Sequence, residues 1–208
     1  AHMANEQANL IWIDCEMTGL DPAVDELVEV AVVVTDYDLN PIDDGFQVVI
    51  KPSSAARDQM SDFVREMHVS SGLLDELDDG LALDEAGRQI LEYLHRFVPE
   101  AGSAPLAGNT IGTDRMFIQK YLPEVNAYLH YRNIDVSTIK ELSKQWFPKS
   151  YYQSPEKNGG HRALADILES IRELAYYRRA VFLEAPGLET KQLKAVSEAI
   201  AEQWAPRL

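Results

Sequence analysis

Apolar positions follow two periods along the chain. Residues 10–15, 27–35 and 46–50 are rich in β-branched and aromatic side chains, and the short links between them carry Asp, Asn, Pro and Gly. Three sequential strands, paired antiparallel, are expected. Residues 52–80 break into short pieces, with helical spacing at Phe63 and Met67 and again at Val64 and His68. In residues 84–98, Ile90, Leu91, Leu94 and Phe97 form one stripe of an amphipathic helix, which residues 99–103 end. A fourth strand over 104–108, a helix through Tyr121, a fifth strand over 131–136 and a helix over 137–146 complete the pattern. Strand and helix alternating in this half predict parallel crossovers, so the fold class is α/β: a mixed five-stranded sheet flanked by helices.

The remainder is helical or loop. Residues 151–160 are polar and end in Gly159-Gly160, the composition of a mobile loop. Leu164, Ile167, Leu168, Ile171, Leu174 and Ala175 then line one side of a long helix over 162–182. Pro186-Gly187 marks a boundary, beyond which Leu193, Val196 and Ile200 have the spacing of one more amphipathic helix. The division expected is one domain over 4–183 and a C-terminal helical extension over 184–208. Neither an internal repeat nor a low-complexity tract interrupts it.

Composition narrows the possibilities. A chain of 208 residues with 46% hydrophobic content can bury one substantial core. The formal net charge of -15 argues against a broad basic surface gripping long nucleic acid, because such binding depends on neutralising phosphates. A short nucleic acid held in a small pocket is compatible with it. Cys15 is the single cysteine, so no intramolecular disulfide can form, and there is neither a signal peptide nor an apolar run of membrane length. A soluble cytoplasmic protein without membrane partners is the expectation. Ala1-His2 ahead of Met3 reads as a cloning remnant.

Candidate chemistry begins at the end of the first strand, where Asp14 and Glu16 share one face while Ile13 and Cys15 share the other. Two carboxylates so close repel unless something positive lies between them, and oxygen ligands suit Mg2+ or Mn2+. Other close acids, Asp36 with Asp38 and Glu76 with Asp78, read as solvated turns. From pattern alone, Asp14 and Glu16 also fit a solvated strand end, Asp114 an N-cap of the following helix, and His161 a loop histidine without a task. Asp166 lies off the apolar stripe of its helix, the position of an exposed acid. Tyr131 and Phe63 are by default core or interface aromatics, Arg132 a surface cation, Leu20 a turn residue, and Thr110 and Ser137 loop or capping hydroxyls. Cys15, opposite the acids, reads as core.

Asp14-x-Glu16, Gly108-Asn-Thr-Ile-Gly-Thr-Asp114 and His161-Arg-Ala-Leu-Ala-Asp166 resemble the three motifs of the DEDD exonucleases with a histidine in the third motif, a family with a ribonuclease H-like fold. Trp12-Ile-Asp-Cys-Glu-Met-Thr-Gly-Leu-Asp21, His130-Tyr-Arg-Asn-Ile-Asp-Val-Ser137 and Glu173-Leu-Ala-Tyr-Tyr-Arg178 resemble its oligoribonuclease branch. The resemblance covers residues 9–182 in matching order and spacing.

What it implies is a two-metal 3′-to-5′ exoribonuclease that degrades short oligoribonucleotides, 5′-phosphorylated dinucleotides above all, to nucleoside 5′-monophosphates. Asp14, Glu16 and Asp166 would hold one divalent ion, Asp14 would also contact a second, and Asp114 would act through water. Four carboxylates then balance two Mg2+ or Mn2+ ions. His161 would be the general base toward the attacking water. Leu20 takes the place of an apolar wedge beside a base, and Phe63 and His68 lie next to the 3′-terminal base; the family often has Trp where this chain has Phe63. Tyr131, Arg132 and Ser137 resemble a cap for the 5′-phosphate, with Tyr131 supplied by the other subunit of a homodimer, and Thr110 stands where a serine is common. The rivals are a proofreading-type DNA exonuclease acting on longer single strands and a non-catalytic nucleotide- or cation-binding module.

Overall fold

The computed structural model describes residues 8–208; Ala1 and His2, read as a cloning remnant, lie outside them. Strands β1 (Asn9–Met17), β2 (Leu27–Asp36), β3 (Phe46–Val49), β4 (Pro105–Gly108) and β5 (His130–Asp135) form one sheet in the order β3-β2-β1-β4-β5. β1 pairs antiparallel with β2 and β2 with β3, while β1 with β4 and β4 with β5 are parallel. The two connection types explain the mixture. Short polar links can only turn a strand back on its neighbour, whereas the later strands are joined through helices that carry the chain across the sheet.

Both faces of the sheet are covered, which is why β2 reads as an almost unbroken apolar run. On one face Ile11, Ile13, Cys15, Val30, Val32 and Leu106 pack against α3 (Leu83–Phe97), α4 (Ile111–Tyr121) and α5 (Pro123–Tyr128) through Ile90, Leu94, Phe117 and Val125. On the other, Leu10, Trp12, Ala31, Val33 and Ala107 meet Val136 of α6 (Val136–Trp146) and Ala163, Ile167 and Ile171 of α8 (Ala163–Ala180). Trp12 is fully buried, and its indole N–H donates to Thr35 Oγ1 at 2.8 Å, so the largest side chain of the core carries no unsatisfied donor. A third, smaller cluster of Val28, Met60, Leu73 and Leu77 seats α1 (Ser54–Asp58), α2 (Asp62–Ser70) and a 3₁₀ turn over Leu74–Asp79 beside β2.

Several local expectations are revised. α5 is a separate helix opened by Pro123 at its first position, where a missing N–H costs nothing. A short helix α7 (Pro148–Tyr152) leads into the segment read as loop. Leu168, placed on the apolar stripe of α8 by spacing, is 47% exposed; the sheet takes Ala163, Ile167 and Ile171, with Leu164, Leu174 and Ala175 partly buried against them. The last helix, α9 (Thr190–Trp204), forms where expected with a capping box between Glu189 and Gln192, yet none of its residues is buried. Among the described residues no helix is long and apolar enough to cross a membrane.

The pairing of β1 with β4 ends at Trp12 and Ala107. A Cβ on Gly108 would stand 2.6 Å from Ile111 Cγ2, so only glycine lets the chain turn there into α4. Beyond that point the second half of β1 has no strand neighbour on its β4 side, the topology that opens a crevice at the carboxyl ends of two such strands.

Leu106→Ala, at a fully buried position of β4, should cost about 2–5 kcal/mol by urea denaturation. Ending the chain after Gly187 should leave the same midpoint unchanged, because α9 buries none of its residues.

Candidate active site

The crevice is lined by acids from three elements. Asp14 and Glu16 leave β1 on the α8 side, and Asp166 stands in the first turn of α8, where the helix dipole favours a carboxylate. Each offers an oxygen, and these oxygens lie within 4.8 Å of one another. Asp166 is therefore not the exposed acid that periodicity suggests. It sits off the apolar row because it points to the site beside it.

Asp114 belongs to the same crevice but has a different attachment. It is not the N-cap of α4, a position held by Thr110 four residues earlier. Its Oδ1 instead accepts the backbone N–H of Cys15 at 3.0 Å, the donor left over where β1 loses its β4 partner. His161 directly precedes the N-cap of α8, with left-handed backbone (φ +53) after Gly159 (φ +61). A non-glycine residue in that region costs free energy and persists where its surroundings hold it. His161 is close enough to Asp166 to offset part of the burial effect on that acid.

The electrostatics are those of an uncompensated cluster. Burial, then the charges of Asp114, Glu16 and Asp166, pushes Asp14 up to about 9. Burial followed by Asp166, Glu29 and Asp114 raises Glu16 to about 8. Asp114 and Asp166 are each raised to about 6, mainly by burial. Arg162, whose charge reaches Glu16, is already committed to Glu29 and Glu76. Oxygen-only donors, convergent and short of positive charge, fit a hard divalent cation.

The residues expected to contact substrate occupy three places. Leu20 is 73% and Phe63 78% exposed, so neither belongs to the core. His68 is fully buried; its Nε2 lies 2.8 Å from the carbonyl of Met17 and must donate to it, which leaves Nδ1 as an acceptor without a partner. At the ends of β4 and β5, the Asp135 carboxylate accepts the backbone N–H groups of Thr110, Ile111 and Ser137 at 2.9, 3.1 and 2.9 Å. One side chain thereby caps both α4 and α6 and holds Thr110 in its left-handed conformation (φ +50). The hydroxyls of Thr110 and Ser137 are 2.9 Å apart, and Ser137 donates to Asn109 Oδ1. Tyr131 is 73% exposed, its ring stacked on His130 with the Arg132 guanidinium 5.4 Å from its centre.

Four contributors carry no signal in a periodic reading. Glu29 lies opposite Glu16 in the β1–β2 register and is fully buried; a lone charge inside the run Leu-Val-Glu-Val-Ala was the available hint. Arg162, Asp135 and Glu173 act through contacts that only the tertiary fold creates. Glu173, also buried, accepts from Asn109 Nδ2 and pairs with Lys157 at 2.9 Å. Nor are Glu76 and Asp78 merely solvated, since they pair with Arg162 and Arg57 at 2.7 Å each.

This sheet, with acids gathered at the end of its first strand, is that of an exonuclease, and a family profile described as Exonuclease matches residues 11–174. The chain is 61% identical over 206 residues to the oligoribonuclease of Leifsonia xyli subsp. xyli, covering 99% of this chain and 100% of that one. It is 55% identical over 188 residues to the oligoribonuclease of Cutibacterium acnes, covering 90% and 93%. The chain belongs to the oligoribonuclease family of exonucleases. Among solved structures, exonuclease I from Methylocaldum szegediense superposes with a TM-score of 0.61 at 21% identity, over 84% of this chain and 41% of that one. The metal-free E. coli ExoI-ssDNA complex gives 0.63 at 14%, over 84% and 40%. The chain thus spans about two fifths of those exonuclease I chains, and the likeness is one of fold.

The raised acids set a pH dependence. Asp14 and Glu16 bind protons more tightly folded than unfolded, so the folded state is favoured at low pH and loses that advantage between about pH 4 and about pH 9. In chelator, the melting temperature should fall across this window through these groups. Added Mg2+ or Mn2+ should raise it more at pH 8 than at pH 5.

Proposed function

We propose that this protein removes nucleotides from the 3′ end of short oligoribonucleotides, with 5′-phosphorylated dinucleotides as preferred substrates and nucleoside 5′-monophosphates as products. The convergence of Asp14, Glu16 and Asp166 carries this reading. Two divalent ions, Mg2+ or Mn2+, would neutralise the cluster and polarise the scissile phosphate when bound. Asp14, Glu16 and Asp166 would hold them, with Asp114 helping through water from its anchored position on Cys15. His161 takes a proton from the attacking water; the water oxygen bonds to phosphorus as the bond to the 3′ oxygen breaks, and that oxygen takes a proton from solvent as it leaves.

The rest of the site positions the two ends of a short strand. Exposed Leu20 and Phe63 offer apolar faces to bases, and fully buried His68 ties α2, which carries Phe63, to the Met17 carbonyl at the end of β1. Thr110, Arg132 and Ser137 supply hydroxyls and a guanidinium suited to a terminal phosphate near the start of α6. The protein works as a cytoplasmic homodimer in which Tyr131, projecting from β5 with Arg132 against its ring, reaches the site of the other subunit. A substrate with few phosphates suits a chain of net charge -15, which repels longer ones.

Incubating a 5′-phosphorylated diribonucleotide with the protein should release two monophosphates with Mg2+ or Mn2+ and none in chelator. Faster turnover of long single-stranded DNA would favour the proofreading type, and binding without turnover the non-catalytic module. Asp14→Asn or Asp166→Asn should lower kcat by about 10³-fold or more while leaving the fold intact. Arg132→Ala should raise KM for the 5′-phosphorylated dinucleotide about 10- to 100-fold, with little change in kcat.

A further inference from the structure

Helix α8 carries Asp166 in its first turn and His161 just ahead of it, yet its start has no local cap: the N-cap position is Arg162, whose own side chain makes no capping hydrogen bond. Arginine is also a poor choice there, since it has no acceptor. The missing acceptor comes from another element. Glu29, fully buried on β2, accepts the Ala163 N–H at 2.9 Å through Oε1. The same carboxylate takes Arg162 as a fork, with Nε at 3.1 Å and Nη2 at 2.8 Å from Oε2. The remaining arm of the guanidinium, Nη1, pairs with Glu76 at 2.7 Å and reaches the carbonyl of Ser71 at 3.5 Å. Arg162 thereby ties β2, the segment after α2 and the start of α8 together.

We infer that Glu29 and Arg162 are positioning residues for the proposed phosphodiester hydrolysis: they fix the start of α8 against β2 so that Asp166 meets Asp14 and Glu16. The geometry is directional. Glu29 faces Glu16 across the β1–β2 register, so anchoring α8 on Glu29 sets its first turn beside the strand that carries the other two acids. A buried carboxylate that accepts three N–H donors on its two oxygens is occupied as the seat of α8, which leaves a cation to the other acids. Partners that orient ligands in this way typically alter metal affinity or activity about 10- to 100-fold when removed.

This assignment rests on the proposed hydrolysis, but its test reads Mn2+ binding without substrate, so it stands or falls even where dinucleotide turnover is absent. Glu29→Gln keeps the side-chain shape, and Arg162→Gln removes the fork. Both should weaken Mn2+ binding, followed by calorimetry, and lower kcat about 10- to 100-fold, with KM for the dinucleotide within about threefold. Glu76→Gln, which leaves the Glu29 fork whole, should change Mn2+ affinity by less than about threefold. Arg162→Lys, with the charge but not the fork, should restore only part of the affinity. The inference is overturned by wild-type Mn2+ affinity in folded Glu29→Gln and Arg162→Gln. Full recovery in Arg162→Lys would also overturn it, since charge alone would then suffice.

Discussion

Like charges crowded at the end of a buried strand are the constraint on which the rest of this molecule depends. Asp14 and Glu16 are forced onto one face by the alternation of β1, and the same alternation sends Ile11, Ile13 and Cys15 into the core that holds the strand in place. The acids cannot move apart without unseating that core. Ionising them is therefore costly in the folded protein, first through burial and then through neighbouring acids, and a divalent cation can relieve that cost. Function is gained at a local loss of stability, the usual balance at an active site.

Topology supplies the space. β1 has an antiparallel neighbour along its whole length but a parallel one over only its first half, so the strand is secured from one side while its other side opens. The backbone group freed by that opening is not left bare, because Asp114 takes the Cys15 N–H. A single hydrogen bond thus satisfies an orphaned donor and places a fourth carboxylate.

Much of this was legible in the chain. Strand alternation places Asp14 and Glu16 together, and hydrophobic spacing finds the five strands and the principal helices, because these depend on neighbours within a few residues. Asp166 shows where periodicity stops: spacing identifies which face of α8 is apolar, not what lies beside its polar edge. Resemblance to a family bridged that gap. Glu29, Asp135 and Arg162 were missed for a common physical reason. Each satisfies backbone or charge on a segment remote in sequence, and no local rule marks a carboxylate on one strand as the cap of a helix more than a hundred residues later. Leu168 was misplaced because spacing cannot tell how wide a strip of a helix its sheet will cover.

The last helix stands apart from all of this. Leu193, Val196, Ile200 and Trp204 follow one another along α9 at helical spacing, each about half exposed, and none of them supports the sheet. Substitutions there leave the free energy of the subunit's fold nearly untouched, so selection for a stable fold has no grip on them. That oily row adds nothing to the solidity of this subunit.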